Sequence, residues 1–450
     1  MSLTPTTDYN HISKGSQGAQ DVAIPECIMS SRVPKAIPSL TRVVSTPSQS
    51  GNASQSGTVV FQIAGGNNSN GFLKAGSAYL RGTCTVTKTA GGNADNDIAF
   101  ANQTASASSL INRFQLSANS TNIETIARYD NYHAMLQTVA TNGEMFQNDA
   151  SIQEYCNSRI VSGTGTSATF NFAFPLKSAV LSNIKSFPLF LSNLFIQLDL
   201  NSAELAFKVG GTGATFGASY VLSNMELVYE VTNVDASLID GMKQQMLASG
   251  KLYEMPMTCA LGLQSAISAG QTSFSYNVGL NLASVQGVAI CEVATTSATS
   301  NSETTNIAPA GALALTNLNS FIRNSTESNS NSRRFYIDSK QLVSYDVALD
   351  AQNFCETARL FASLYDDQVT IIAPRSTVCA TGVSTGAYYV VGQSSRRFDE
   401  ADLCMQGTPC QNLVLQIAKT GVPVASSVYI YVLYDQILVC DATGAVAIAK

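Results

Sequence analysis

The chain of 450 residues contains no tryptophan and only two histidines, His11 and His133. His11 lies in a polar N-terminal stretch and His133 in a segment of helical spacing. Neither has a nucleophile and an acid patterned around it, which argues against a Ser-His-Asp site. The same scarcity excludes a two-domain cupin, whose metal centre draws on several histidines and a carboxylate in each domain. Zero tryptophans also weigh against a sugar-binding protein, because large aromatic faces are the usual stacking platforms.

Charge is scarce as well: 12% of residues are charged, about half the usual share, and the formal net charge is -6. No clustered Lys and Arg exist to neutralise phosphates, so direct sequence-specific nucleic-acid binding is not expected. The longest strongly apolar stretch, residues 428–434, falls far short of the ~20 residues that span a bilayer. Residues 1–20 lack the charged and apolar regions of a signal peptide, so synthesis in the cytosol is expected. Ten cysteines are widely spread without a Cys-x-x-Cys pair, which suits free, buried thiols better than a zinc or redox site.

What is present is strand grammar. Pro25, Pro34, Pro38 and Pro47 punctuate a polar start, which predicts an extended arm over residues 1–45. Ordered β-structure is expected to begin at Gly57-Thr-Val-Val-Phe-Gln-Ile63 and to continue through residues 78–88, where β-branched residues dominate. Helix-length amphipathic segments do not alternate with the strands, which favours sandwiches over βαβ units. Three helices are predicted. One opens on the apparent capping box Thr121-Asn-Ile-Glu124 and runs through Ile126, Tyr129, Tyr132 and Val139 to Asn142-Gly143. Another spans residues 350–365 with Phe354, Ala358, Phe361 and Tyr365 on one face. The third, residues 235–249, places Leu238, Met242 and Met246 together before Gly250.

The chain also repeats itself. Asn193-Leu-Phe-Ile-Gln-Leu198 corresponds to Asn412-Leu-Val-Leu-Gln-Ile417 at an offset of 219 residues, each preceded by a proline, Pro188 or Pro409. Arg113-Phe114 corresponds to Arg334-Phe335 at an offset of 221. Residues 220–229 and 428–439 read alike as closing strands. The common order and similar offset argue for two related β-domains.

Nothing in these halves assembles a chemical site. Gly163-Thr-Gly165 and Gly210-Gly-Thr-Gly213 lack the Gly-Lys-Ser/Thr of a phosphate loop. Asp95-Asn-Asp97 lacks the glycine and distal Glu of a calcium loop. Asp366-Asp367 and Asp399-Glu400 are sequence neighbours that cannot face each other across a cleft. Arg333-Arg334 and Arg396-Arg397 suit carboxylates, either of a neighbouring subunit or, more commonly, in ordinary surface salt bridges. No catalytic, cofactor-binding or metal residue is expected, and the chain is not read as an enzyme.

Residues 71–81, Ser108-Ser-Leu-Ile-Asn-Arg-Phe114, Ile123-Glu124, Tyr129-Asp-Asn-Tyr132, Phe174-Pro-Leu176 and Phe187-Pro-Leu189 resemble features of the double jelly-roll major capsid proteins. That lineage includes tailless phages, adenoviruses, virophages and polinton-like viruses. The resemblance implies an all-β chain of two consecutive jelly-roll β-sandwiches with short helices in the connecting loops. It implies boundaries of 1–45 for an N-terminal arm, 46–235 for the first jelly roll, 236–252 for a linking helix and 253–450 for the second. It further implies pseudo-hexagonal trimers tiling an icosahedral shell in the virion. The implied partners are copies of the chain, neighbouring capsomers, other virion structural proteins and, as a candidate, an internal membrane. Residues 295–306 and 324–332 then become outward or intersubunit loops. The rivals are a carbohydrate-binding or adhesive β-sandwich and a minor or vertex virion protein.

Overall fold

The computed structural model describes residues 39–66, 69–88, 97–100, 106–140, 166–181, 186–210, 218–294, 332–347, 350–362, 390–397, 405–419 and 425–449. The chain forms two compact units, residues 1–40 and 41–450. Of the first, only Ser39 and Leu40 are among the described residues.

The elements up to the longest helix are β1 (Ser39–Pro47), β2 (Ala53–Ser54), β3 (Thr58–Ile63), β4 (Gly71–Leu73), β5 (Tyr79–Lys88), β6 (Asp97–Phe100), β7 (Ile111–Ala118), β8 (Thr121–Ala127), α1 (Tyr129–Ala140), β9 (Ser167–Pro175), β10 (Phe187–Pro188), β11 (Leu194–Leu200), α2 (Ala203–Ala206), β12 (Phe207–Gly210) and β13 (Ala218–Val234). After α3 (Ala236–Ser249) come β14 (Tyr253–Ile267), β15 (Ser273–Ala294), β16 (Ser332–Ile337), β17 (Lys340–Gln341), α4 (Asp350–Ala362), β18 (Val390–Ser394), β19 (Thr408–Ala418), β20 (Ser426–Cys440) and β21 (Val446–Ala449).

In the first half, a seven-stranded sheet runs β10-β4-β13-β5-β9, with β1 and β2 also on β13. A four-stranded sheet runs β3-β11-β7-β8. Alternation explains why they stack. In β11, Leu194, Ile196, Leu198 and Leu200 are buried while Phe195, Gln197 and Asp199 between them are not fully so. In β5, Leu80, Cys84 and Val86 point inward. Outward, Thr83 donates to Asn171 at 2.8 Å and Thr85 meets Thr169 at 3.0 Å. Period-2 patterning thus buries one face of each sheet and leaves polar side chains on the other, hydroxyls and amides between β5 and β9 and ion pairs such as Arg81–Glu226 and Arg113–Asp199 elsewhere.

The second half is one eight-stranded sheet, β14-β20-β15-β19-β16-β17, with β18 on β15 and β21 on β20. Its strand β15 pairs with β19 over its first part and with β20 over its last, with register shifts between Gly279 and Leu282, Leu282 and Val285, and Val285 and Gly287. Such bulges bend a strand and raise its twist, so one strand can serve two layers. At Gly287 a Cβ would lie 2.3 Å from Leu360 Cδ1, so glycine lets α4 lie flat on this strand.

The repeat is visible as paired strands. β11 lies beside β7 with Leu198 opposite Phe114, and β19 lies beside β16 with Leu415 opposite Phe335. The two offsets differ by two residues, and the pairing slides by two between the halves. An even slide keeps every side chain on its own face.

Three expectations need correction. Thr121-Asn-Ile-Glu124 does not cap a helix: Thr121–Ala127 is β8, paired to β7 with Ile126 opposite Phe114, and the helix starts at Tyr129. Arg128, at φ +50°, makes the break between strand and helix. Ile123 and Ile126 fit the helical period by spacing alone, but they are β-formers with a sheet partner at hand. Ordered β-structure starts at Ser39 with β1 and not at Gly57. From Thr41 onward β1 follows β13, with Ser48 N–H donating to Met225 O at 2.9 Å and Ser45 Oγ to Glu226 at 2.7 Å. In α3, Asp235 caps Ser237 N–H at 2.8 Å and Gly250 at φ +64° ends the helix; Met242 and Met246 pack against the core as expected, but with Ile239, while Leu238 is exposed. The second predicted helix is present as α4, with Phe361 buried; Phe354 and Ala358 have no described side chains and Tyr365 lies outside the described residues.

Candidate functional site

The predicted chemical motifs do not converge. His133 is fully buried among Tyr129 and Phe174, with Nε2 3.1 Å from Pro175 O. Burial, reinforced by Lys177, pushes its pKa down to about 3, so it is a neutral packing group. Cys84, Cys259, Cys291, Cys410 and Cys440 are free and buried, and Cys355 is free and exposed. Burial raises the thiols of Cys410 and Cys440 to about 11. Arg334 bridges Asp346 of the same chain across a half-exposed surface, and its neighbour Arg333 is buried. Arg396 and Arg397 follow β18 after Ser395, and Arg397 N–H donates to Gln406 O at 2.9 Å. His11, Asp95, Asn96, Asn142, Gly143, Gly163, Gly165, Gly211, Gly213, Asp366, Asp367, Asp399, Glu400, residues 295–306 and residues 324–331 lie outside the described residues, as do Cys27, Cys156, Cys379 and Cys404. Among the described residues no three His, Cys, Asp or Glu side chains group as a metal centre.

The built feature is a seam between the halves. Strand β20 has almost no solvent-facing side. Val428, Ile430 and Val432 pack into the core of the second half, while Tyr429, Tyr431 and Leu433, on its other face, pack into the core of the first. The adjacent β15 divides the same way, with Val288 and Ile290 in one core and Ala289 and Cys291 in the other. The apolar run that reads in the sequence as one buried strand is therefore a wall shared by two cores. At about 25 cal/mol per Å² of apolar surface, such a wall ties the halves together far more strongly than a linker does.

Polar groups fix the register of this wall. Tyr431 Oη donates to Arg128 O at 2.8 Å, and Arg128 Nη1 donates to Tyr429 Oη at 2.9 Å with its guanidinium 5.0 Å from the Tyr429 ring centroid. Arg128 also grips Asp130 through Nη2 at 2.8 Å and Nε at 3.0 Å, and Asn201 Nδ2 donates to Asp130 at 3.3 Å. Tyr132 packs on Tyr431 with centroids 5.3 Å apart. The left-handed backbone at Arg128, which ends β8, is what turns this side chain into the wall.

A second set of contacts joins strand edges. Among the described residues edge strand β14 pairs with β20 and edge strand β8 with β7, so each turns a sheet edge toward the other. Glu124 of β8 accepts Ala260 N–H of β14 at 2.7 Å and Ala179 N–H of the first half at 2.8 Å. Burial raises this carboxyl to about 7, against the two amide bonds, which lower it. Gln436 Nε2 donates to Ile123 O at 2.8 Å, and Thr121 Oγ1 to Val446 O at 2.9 Å. At Gly262 a Cβ would lie 2.7 Å from Ala127 O, so the edges abut closely enough to need a glycine.

No protein-family profile matches the sequence, and no curated protein matches it significantly. The fold does match solved structures along nearly its whole length. PBCV-1 VP54, fitted into a reconstruction of the virophage Sputnik, matches at a TM-score of 0.58 and 11% identity, covering 93% of this chain and 99% of that one. A chain of the Sputnik virophage itself gives 0.59 and 12%, covering 96% and 93%, and the Faustovirus major capsid protein gives 0.57 and 8%, covering 92% of each. The chain has a double jelly-roll fold. Both jelly rolls lie within the matched length, so the shared wall at β20 belongs to a two-jelly-roll body and not to a chance pairing of sandwiches. At these identities the likeness is one of fold. Glu124, Arg128 and Gly262 are features of this chain's own seam.

Proposed function

We propose that this chain is the major capsid protein of an icosahedral virus, a structural subunit with no enzymatic role. The observation that carries the reading is the end-to-end double jelly roll in which one strand, β20, serves both cores. Two similar β-bodies locked at a fixed angle give a threefold oligomer six similar lobes, and six lobes tile as near-hexagons. A flexible tether could not hold that outline. The hydroxyls and amides between β5 and β9 suit contacts made by shape and hydrogen bonding.

In this reading the working parts keep the boundaries read from the sequence, an arm over residues 1–45, jelly rolls over 46–235 and 253–450 and a linking helix over 236–252, except that β1, from Ser39, belongs with the sheet of the first jelly roll. The partners of this reading are further copies of the chain, neighbouring capsomers and other virion structural proteins, with an internal membrane as a further candidate. Its location is the virion, after synthesis in the host cytoplasm. A carbohydrate-binding protein has less support, because sugar recognition does not require the second jelly roll to be welded to the first.

Purified protein is expected to sediment and scatter as a trimer of 47.5-kDa chains, 142.5 kDa in all, and to stay trimeric on dilution because its interfaces are those of an obligate oligomer. A monomer at micromolar concentration would remove the reading.

A further inference from the structure

We propose that Glu124 is a proton-operated latch between the two jelly rolls: its carboxylate holds one backbone amide from each, and taking up a proton loosens one of the two. The geometry is specific. Ala179 lies in the first jelly roll after β9, and Ala260 lies on edge strand β14 of the second. A carboxylate offers acceptors on both oxygens and can satisfy both amides. A neutral carboxyl keeps its carbonyl oxygen as a good acceptor, while its hydroxyl oxygen becomes a donor and only a weak acceptor. The neutral state therefore leaves one edge amide of the seam with a much weakened acceptor.

The surroundings keep this proton equilibrium separate from others. β14 brings Cys259 to the site, and β20 brings Tyr434 and Asp435, with Gln436 Nε2 donating to Cys259 Sγ at 2.6 Å. Burial is the largest cause raising both the Cys259 thiol and the Tyr434 hydroxyl, and Glu124 adds to both; the two are lifted away from neutral pH. On the first jelly roll, Lys177 lies two residues before Ala179, and the neighbouring His133 is pushed down to about 3. Glu124 itself sits at about 7, inside the physiological window.

The sign follows from linkage. A carboxyl whose pKa is higher in the folded state than its ordinary 4.5 favours the fold when neutral. Above about pH 7 the cost of burying the charge is present in full, and it disappears as pH falls from 7 towards 4.5. Over that range the unfolding equilibrium constant falls by up to about tenfold per pH unit. Acidification thus does two opposite things: it strengthens the fold as a whole and loosens one amide at the seam. The latch concerns the folded chain alone and stands whether or not the chain builds a shell.

The test compares the full chain with Glu124→Gln between pH 8 and 5.5. In the unsubstituted protein the unfolding constant in urea is expected to fall at least tenfold with a midpoint near 7. The protection factor of the amide of Ala179 or Ala260, its intrinsic exchange rate at each pH divided by the observed rate, is expected to fall over the same range. The carboxamide that Glu124→Gln puts in place of the carboxyl cannot titrate, so both changes should vanish in the variant. An identical pH course in the two proteins would overturn the proposal. If the variant does not fold, the infrared carbonyl band of a protonated buried carboxyl, followed in the unsubstituted protein, decides the matter: growth with a midpoint near 7 supports the latch, and a midpoint near 4.5 rejects it.

Discussion

Replacing Arg128 with Met, with Asp130 left in place, is expected to lower the stability of the folded chain by about 3–5 kcal/mol. Arg128 and Asp130 are both largely buried at the seam, with side-chain exposures of 13% and 6%. Taking one charge away leaves the other without compensation in a region from which water is excluded. The substitution also removes the donor to Tyr429 Oη and the cation above its ring. The methionine stem keeps most of the buried volume, so the loss reports charge and hydrogen bonding and not a cavity. Removing both charges, as Arg128→Met with Asp130→Asn, should recover much of the loss, because a buried ion pair often contributes little net stability over a neutral pair of similar shape. Urea unfolding of the three proteins checks this. Equal losses in the single and double variants would show that Asp130 is not held by Arg128.

The second large effect separates the two faces of β20. Ile430→Ala is expected to cost about 2–5 kcal/mol by opening a cavity in the second core, and Tyr431→Ala about 3–5 kcal/mol at the seam. The costs are similar but their partners differ. Tyr431 packs against Tyr132 of the first jelly roll with ring centroids 5.3 Å apart, whereas Ile430 faces the opposite way. A double-mutant cycle with Tyr132→Ala should therefore give a coupling of about 0.5–1.5 kcal/mol with Tyr431→Ala and close to none with Ile430→Ala. Coupling of Tyr132 to both would mean that β20 does not divide its side chains between two cores.

The sequence makes the strands legible where alternation is strict and local. β11 and β19 carry the repeat because each buries every second residue, and their partners β7 and β16 keep the matching Phe on the buried face. β1 escapes detection for the opposite reason: Leu40 and Val43 are exposed, the strand has no buried face of its own, and prolines flank it. The capping-box spacing at Thr121 misleads because Ile123 and Ile126, three residues apart, fit a helix better than a regular strand; both are buried in β8 because the pairing with β7 shifts register between Leu116 and Ser117, leaving Ile123 as the extra residue. The seam is the least legible part. Ala260 is 136 residues from Glu124 and Tyr429 is 301 residues from Arg128, and no periodicity spans such distances. Glu124 is conspicuous in the sequence, but as a helix cap, and Gly262 gives no sign that a neighbouring strand edge requires it. A signal that could have revealed the seam is the run from Val428 to Leu433, which is apolar on both faces of a strand and so announces a partner beyond its own sandwich.

Electron microscopy of the purified, expressed chain tests the shell-subunit reading most directly. The expected images are threefold particles with a near-six-sided outline, each side one jelly roll, which associate edge to edge into curved or closed shells as concentration rises. Single two-lobed particles with no threefold symmetry and no tendency to tile would contradict it.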